Sequence, residues 1–94
     1  MTDTCVIYKD CLDEILRHAL EAYPEECCGI IIDGRDVQVV RRFKNIQNRL
    51  HEEDPVRFPS SAAIAYTVDR AEADSAFSSI KENRQVLTAF YHSH

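Results

Sequence analysis

The sequence lacks the features that mark a membrane protein or an exported one. No apolar stretch approaches the roughly 20 residues that a transmembrane helix needs. The first residues, Met1 to Thr4, do not show the basic and then apolar pattern of a signal peptide. The chain also contains no internal repeat and no low-complexity segment. The sequence therefore predicts a cytoplasmic protein that does not contact a membrane.

Basic charge is scarce as well. There are 11 Lys and Arg residues against 16 Asp and Glu residues, and the formal net charge is −5. A protein that binds nucleic acid needs a basic face. The basic cluster around Arg41 and Arg42 is interpreted instead as a solvated strand edge, so no nucleic acid is expected among the partners.

Zinc-finger spacing is absent, because the sequence contains no C-x-x-C pair. The four cysteines are Cys5, Cys11, Cys27 and Cys28. In a chain without an export signal, we expect free core thiols rather than disulfides, ligands or nucleophiles. Cys27 and Cys28 are adjacent and face opposite ways in an extended chain, so at most one of them can line a given site.

What the sequence does contain is enough for one small domain. It has 94 residues, of which 45% are hydrophobic and 29% are charged, as in an ordinary globular protein. Apolar residues at helical spacing predict a first helix over residues 10–22, ended by Pro24. A second helix is predicted over residues 70–83. The buried stripe of the first helix is predicted to consist of Leu12, Ile15, Leu16, Ala19 and Leu20.

Five strands are predicted around these helices. Residues 27–32 and 37–43 form a hairpin that turns at Asp33-Gly34. A long loop over residues 44–59 follows, with no hydrophobic period. The other strands cover residues 4–8, 64–68 and 86 onward. The resulting order, β-α-β-β-β-α-β, predicts an α/β fold with a mixed β-sheet and two packed helices.

Two histidines at the end of the last strand are the first candidate functional residues. Side chains on a strand alternate between its faces, so His92 and His94 point the same way and Ser93 points opposite. Two imidazoles on one side of a strand end can converge on one metal ion. Two are too few for a typical zinc site, so we expect either another ligand upstream or a chain that continues beyond His94.

The second candidate is the segment Pro24-Glu25-Glu26-Cys27-Cys28-Gly29 at the entry to an apolar strand. A zinc hydrolase needs ligands that leave one position open, and a base that is not itself a ligand. Glu26, His92 and His94 partly supply that set. A helix–strand loop whose glutamates point to water is the alternative. The chemically reasonable upstream candidates for a third ligand are His51, Glu52, Glu53 and Asp54.

Together the two segments resemble the JAMM (MPN-type) metalloproteases. In that family a glutamate precedes an apolar strand that begins with a small-residue or Cys-Gly element. A His-Ser/Thr-His-Pro element follows at a later strand end, and then a serine and an aspartate. Here PEECCGIII (24–32) and FYHSH (90–94) match in order, and His92 lies 66 residues after Glu26 (92 − 26). The resemblance covers essentially the whole chain and is closest to prokaryotic-like single-domain members.

This resemblance implies the N-terminal two-thirds of a JAMM/MPN (cytidine-deaminase-like) domain over residues 1–94, C-terminally incomplete. It implies that His92 and His94 are Zn²⁺ ligands. Glu26 would be the general base that activates water and then hands its proton to the leaving amine. The family's aspartate ligand and oxyanion-stabilising serine both follow the histidine element, so we expect the 94-residue chain to be inactive or nearly so.

The resemblance also implies a substrate class. Such an enzyme would be a metallopeptidase or isopeptidase acting on a protein or peptide, such as the C-terminal tail of a ubiquitin-like or sulfur-carrier protein, bound by strand addition. A metal-free MPN-type interaction module is the alternative. A redox protein that uses Cys27 and Cys28 is a poorer hypothesis, since adjacent cysteines form a disulfide only with strain.

Overall fold

A computed structural model of the chain describes residues 5–94. The helices and strands follow in the order α1 (Lys9–Ala22), β1 (Cys28–Asp33), β2 (Gln38–Phe43), α2 (Gln47–Glu53), α3 (Arg70–Glu82) and β3 (Val86–His92). The strands form one sheet in the order β2-β1-β3, and both pairings are antiparallel. The predicted α/β class is confirmed, but this part of the chain has three strands and no parallel pair.

Strand β1 lies at the centre of the sheet because its sequence is apolar on both faces. Its residues from Cys28 to Ile32 are all buried. Ile30 and Ile32 face α3 and pack with Ala76 and Ile80 in the main core cluster. The opposite face of the sheet carries α1, so the two predicted helices pack on opposite sides.

Two of the predicted strands do not form. Residues 5–8 are irregular, and residue 4 lies outside the described residues. The side chain of Gln38 replaces a strand partner for this segment: its Oε1 accepts from Tyr8 N at 2.7 Å and its Nε2 donates to Val6 O at 2.8 Å. Within 64–68 only Val68 bridges to another residue, Asn45, as an isolated pair.

The predicted long loop contains the helix α2. Its sequence, QNRLHEE, has a single apolar residue and therefore no hydrophobic period. Gln47 is buried within it, and its Nε2 donates to Ser60 O at 2.8 Å. The helix is stabilised by this tertiary contact, which a periodicity argument cannot detect.

The predicted buried stripe of α1 is wrong for its leucines. Leu12, Leu16 and Leu20 are 48%, 55% and 79% exposed. The buried residues of the helix are Cys11 and His18. A neighbouring stripe of polar contacts orients the helix instead and turns the leucines toward solvent.

Arg42 of β2 sets this orientation. Its guanidinium donates to the Glu14 carboxylate at 2.7 Å and to the Glu21 carboxylate at 2.6 Å. On the same side of the helix the Cys11 thiol donates to Gln38 O at 3.2 Å. Partly exposed ion pairs contribute only modestly to stability. The main effect of these contacts is therefore to determine which face of α1 packs against the sheet.

His18 makes the contact between α1 and β3. Its Nδ1 lies 2.7 Å from the Tyr91 hydroxyl, and the Tyr91 ring lies over Gly29 of β1. Gly29 and Tyr91 are paired in the β1–β3 register. A glycine is needed at this point because the tyrosine ring occupies the space of a Cβ atom.

We expect His18 to make stability depend on pH. Burial lowers the pKa of His18, and the positive charge of Arg42 lowers it further. Below the unfolded value of about 6.5 the unfolded chain binds more protons than the folded one. The free energy of unfolding should therefore rise with pH up to about 6.5. Urea unfolding of the wild type and of His18→Gln at several pH values up to about 6.5 would measure this dependence. If the free energy of unfolding rose with pH as steeply in the variant as in the wild type, the prediction would be contradicted.

No helix among residues 5–94 has both the length and the apolar character to cross a membrane.

Candidate functional site

The candidate site lies where β3 ends beside the entry to β1. The register pairs Cys28 with His92. The pairing continues one step further, because Ser93 N donates to Cys27 O at 3.1 Å and Cys27 N donates to Ser93 Oγ at 2.9 Å. An antiparallel register that pairs 28 with 92 and 27 with 93 places residue 94 beside residue 26. The backbone therefore brings Glu26 to His94.

The two imidazole rings lie side by side, as strand alternation predicts. The ring centroids of His92 and His94 are 4.8 Å apart and the planes meet at 84°. Ser93 points away from them, and its Oγ accepts a hydrogen bond from Cys27 N. Its two hydrogen bonds fix the histidine element to the residue that follows Glu26.

Glu26 lies next to this pair. Its Oε1 is 3.6 Å from His94 Nδ1, which is within ion-pair range but longer than a hydrogen bond. The Glu26 side chain is 8% exposed, whereas that of His94 is 88% exposed. A buried carboxylate is costly unless positive charge or hydrogen-bond donors face it. Here the His94 ring lies on the solvent side of the Glu26 carboxylate.

Glu25 is turned elsewhere. Its side chain is exposed, and its Oε1 accepts a hydrogen bond from Asn48 Nδ2 at 2.6 Å. Of the two adjacent glutamates, Glu26 is the one that faces the histidines. The alternative in which both glutamates point to water does not hold for Glu26.

Two residues at the site were missed by the sequence analysis. The Tyr66 ring stacks on the His92 ring, with centroids 4.8 Å apart and planes at 24°. Asn45 Nδ2 donates to the backbone oxygen of Glu26 at 2.9 Å. Tyr66 lies in a segment interpreted as a strand and Asn45 in one interpreted as a loop. The sequence has no signal for either, since both contacts are long-range.

Three of the four upstream candidates for a third ligand, His51, Glu53 and Asp54, have other contacts. They lie on α2 or at its C-terminal end. His51 Nδ1 is 2.7 Å from Phe58 O, Glu53 lies 3.9 Å from Arg49, and Asp54 accepts from Arg57 N at 3.2 Å. Across residues 5–94 no three His, Cys, Asp or Glu residues are grouped so that they could hold a metal ion.

His92 and His94 supply two of the ligands that a zinc site needs. Two neighbouring imidazoles offer the nitrogen ligands that Zn²⁺ binds at three- and four-ligand centres. The nearby carboxylate of Glu26 can serve as a base. His92 and His94 are thus the residues that would hold the metal, and a complete site needs one more ligand.

The adjacent cysteines belong to the interior. Cys27 and Cys28 are both buried and both are free thiols. Burial raises the pKa of Cys28 to about 11, with a smaller contribution from Cys27. A thiol that stays protonated is a poor nucleophile and a poor metal ligand, which agrees with the expected core role of Cys28.

Comparisons with known proteins give a family and a related structure. The family model described as prokaryotic homologs of the JAB domain matches residues 8–94. The solution structure of protein DSY2949 from Desulfitobacterium hafniense superposes with a TM-score of 0.65 at 25% sequence identity. The match covers 92% of this chain and 53% of that one, so the chain spans about half the length of its structural relative. No curated protein matches the chain.

Proposed function

The chain belongs to the prokaryotic homologs of the JAB domain, and from this premise we propose that it provides the site of a zinc-dependent metallopeptidase or isopeptidase. The JAB domain family includes metal-dependent isopeptidases. In this proposal Glu26 is the general base, and His92 and His94 are zinc ligands. The observation that carries it is the buried Glu26 carboxylate 3.6 Å from the exposed His94 ring.

The proposed chemistry is hydrolysis of an amide bond. When bound, zinc would act as a Lewis acid that polarises the scissile carbonyl and makes water a stronger acid. The Glu26 carboxylate takes one proton from the attacking water and holds it on a carboxylate oxygen. The water oxygen bonds to the carbonyl carbon, and the carbon–nitrogen bond breaks. Glu26 then gives the proton to the leaving nitrogen, so the products are a carboxylic acid and an amine.

The proposed substrate is an extended tail, such as the C-terminus of a ubiquitin-like or sulfur-carrier protein. Strand β3 pairs with β1 along one edge, and no strand among residues 5–94 pairs with its other edge. A peptide added to that edge would run along β3 toward His92. We place the enzyme in the cytoplasm, where its four unpaired thiols would stay reduced.

Zinc titration of single histidine variants tests the ligand assignment. His92→Gln and His94→Gln should each weaken zinc binding by at least about 10-fold, because loss of even an outer-sphere partner costs about 10- to 100-fold. Calorimetry would measure the affinity, and the imidazole resonances would identify the rings that respond to zinc. We expect weak one-to-one binding by the 94-residue chain, since a third ligand is absent from residues 5–94.

His51→Gln is the matched control for this titration. It makes the same chemical change on α2, at a ring whose Nδ1 lies 2.7 Å from Phe58 O. Zinc affinity should therefore not change. An equal loss in His51→Gln, or His92 and His94 resonances that ignore zinc, would contradict the assignment.

The second candidate function is a metal-free module that binds a partner protein through the same β3 edge. It is favoured by the lack of a three-residue metal cluster among residues 5–94. The titration distinguishes the two functions. A metal-free module would not bind zinc through His92 or His94, and it would not need either histidine to bind its partner.

A further inference from the structure

We propose that Asn45 is a positioning residue that holds the Glu26 carboxylate against the His94 imidazole. The inference rests on the proposed function for its kinetic consequence. Among residues 5–94, the Asn45 side chain bonds to backbone groups and makes no hydrogen bond to the histidine rings or the Glu26 carboxylate. It acts through the backbone on each side of the site.

The Asn45 amide is fully engaged. Its Nδ2 donates to Glu26 O at 2.9 Å and to Ala65 O at 3.0 Å. Its Oδ1 accepts from Gln47 N at 3.0 Å and from Thr67 N at 3.1 Å. These four bonds use both donors and both lone pairs of a primary amide. Rotating the amide by half a turn would oppose donor to donor and acceptor to acceptor, so only one orientation is stable.

One peptide group connects Asn45 to the histidine element. The oxygen of the Glu26–Cys27 peptide accepts from Asn45, and the N–H of the same peptide donates to Ser93 Oγ at 2.9 Å. Ser93 lies between the two histidines in the chain. The orientation of this peptide plane sets the direction in which the Glu26 side chain leaves the backbone. Asn45 and Ser93 therefore fix it from opposite ends.

Glu26 depends on this contact because it precedes β1, and the pairing of β1 with β2 begins only at Cys28. Apart from Asn45, its backbone is held by the bond from Glu26 N to Ala62 O, at 2.7 Å. Without Asn45 the carbonyl would lose its side-chain donor, and the peptide could rotate.

Asn45 also holds the wall of the site that supports His92. The two backbone groups that it binds in the 60–67 segment, Ala65 O and Thr67 N, flank Tyr66 in sequence. The Tyr66 ring stacks on His92 with centroids 4.8 Å apart. The Asn45 amide thus positions both the backbone of Glu26 and the segment whose Tyr66 ring stacks on His92.

The test is Asn45→Asp in the complete gene product. Aspartate keeps the size and the acceptor oxygen but loses both donors and places a carboxylate against two carbonyl oxygens. We expect kcat for amide hydrolysis to fall by about 100-fold, the order of loss that a misplacement of about 1 Å causes. KM should stay within about 2-fold, because the β3 edge remains.

Asn48→Asp is the matched control. It makes the same change on α2 and keeps the bond from Ala62 N to the side-chain oxygen. The exposed hydrogen bond to Glu25 is replaced by an exposed like-charge contact, so the variant also controls for the added charge. Its kcat should be that of the wild type. Asn45→Ala, which removes the donors without adding charge, replaces Asn45→Asp if the latter does not fold.

A structural readout separates this inference from the proposed function. Nuclear Overhauser effects between the Glu26 side chain and the His94 ring, and the carbonyl ¹³C shift of Glu26, should change in the Asn45 variant and not in Asn48→Asp. Unchanged values together with wild-type kcat would overturn the inference. If the wild type and Glu26→Gln hydrolyse substrate equally slowly, the proposed function fails, and the resonance data still decide the role of Asn45.

Discussion

Glu26→Gln is expected to lower kcat for amide hydrolysis in the complete gene product by about 10²–10⁴-fold, the usual contribution of a general base. Glutamine has the shape of glutamate but cannot take a proton from water or return it to the leaving nitrogen. Zinc affinity should change little, because both imidazoles remain. Steady-state kinetics on a peptide or isopeptide-linked substrate would give kcat, and calorimetry would give the zinc affinity.

Glu25→Gln is the control for this prediction. The change is identical and lies one residue away, on an exposed side chain that binds Asn48. It should leave kcat unchanged. If Glu25→Gln lost activity and Glu26→Gln kept it, the base would be the other glutamate. If both variants kept wild-type kcat, a carboxylate base at this position would be excluded.

Gly29→Ala is expected to lower the free energy of unfolding by about 1–3 kcal/mol, as overpacking of a filled core does. A Cβ at this position would lie inside van der Waals contact with the Tyr91 hydroxyl and ring. The ring cannot move aside freely because its hydroxyl binds His18 Nδ1 at 2.7 Å. Thermal unfolding would measure the loss as a fall in Tm of about 4–8 °C per kcal/mol for a domain of this size.

Gly34→Ala is the matched control for Gly29→Ala. A Cβ at Gly34 would meet Val37 O at 3.5 Å and Gln85 Nε2 at 3.8 Å, which are ordinary contacts. Neither glycine has a positive φ, so backbone strain does not separate the two substitutions. We expect Gly34→Ala to be neutral or slightly stabilising. Equal losses at both positions would contradict the account of Tyr91.

Much of the local structure follows from short-range patterns. Helical periodicity located α1 and α3, and apolar β-branched runs located β1 and β3. The Asp33-Gly34 signal identified the β1–β2 hairpin. These features were predictable because each depends on residues that are close in sequence. The alternation of side chains along a strand likewise predicts that His92 and His94 lie on one side of the strand end.

Other features depended on side-chain amides and on charge. The stripe of α1 was misassigned because periodicity defines an apolar face but does not establish that this face packs inward. Arg42, bound to Glu14 and Glu21, selected a different face. The strands were expected over residues 4–8 and 64–68. Within the described residues of these two segments, backbone groups bind the side chains of Gln38 and Asn45 instead.

The sequence by itself determined the class of fold, the family resemblance and the pairing of two imidazoles, because these depend on composition, spacing and the alternation of a strand. Only the tertiary structure decided that Glu26 rather than Glu25 faces those rings. That choice depends on the register of β3 against β1 and on one peptide group held between Asn45 and Ser93. Such contacts join residues 19 and 66 positions apart in the chain, and no local pattern encodes them.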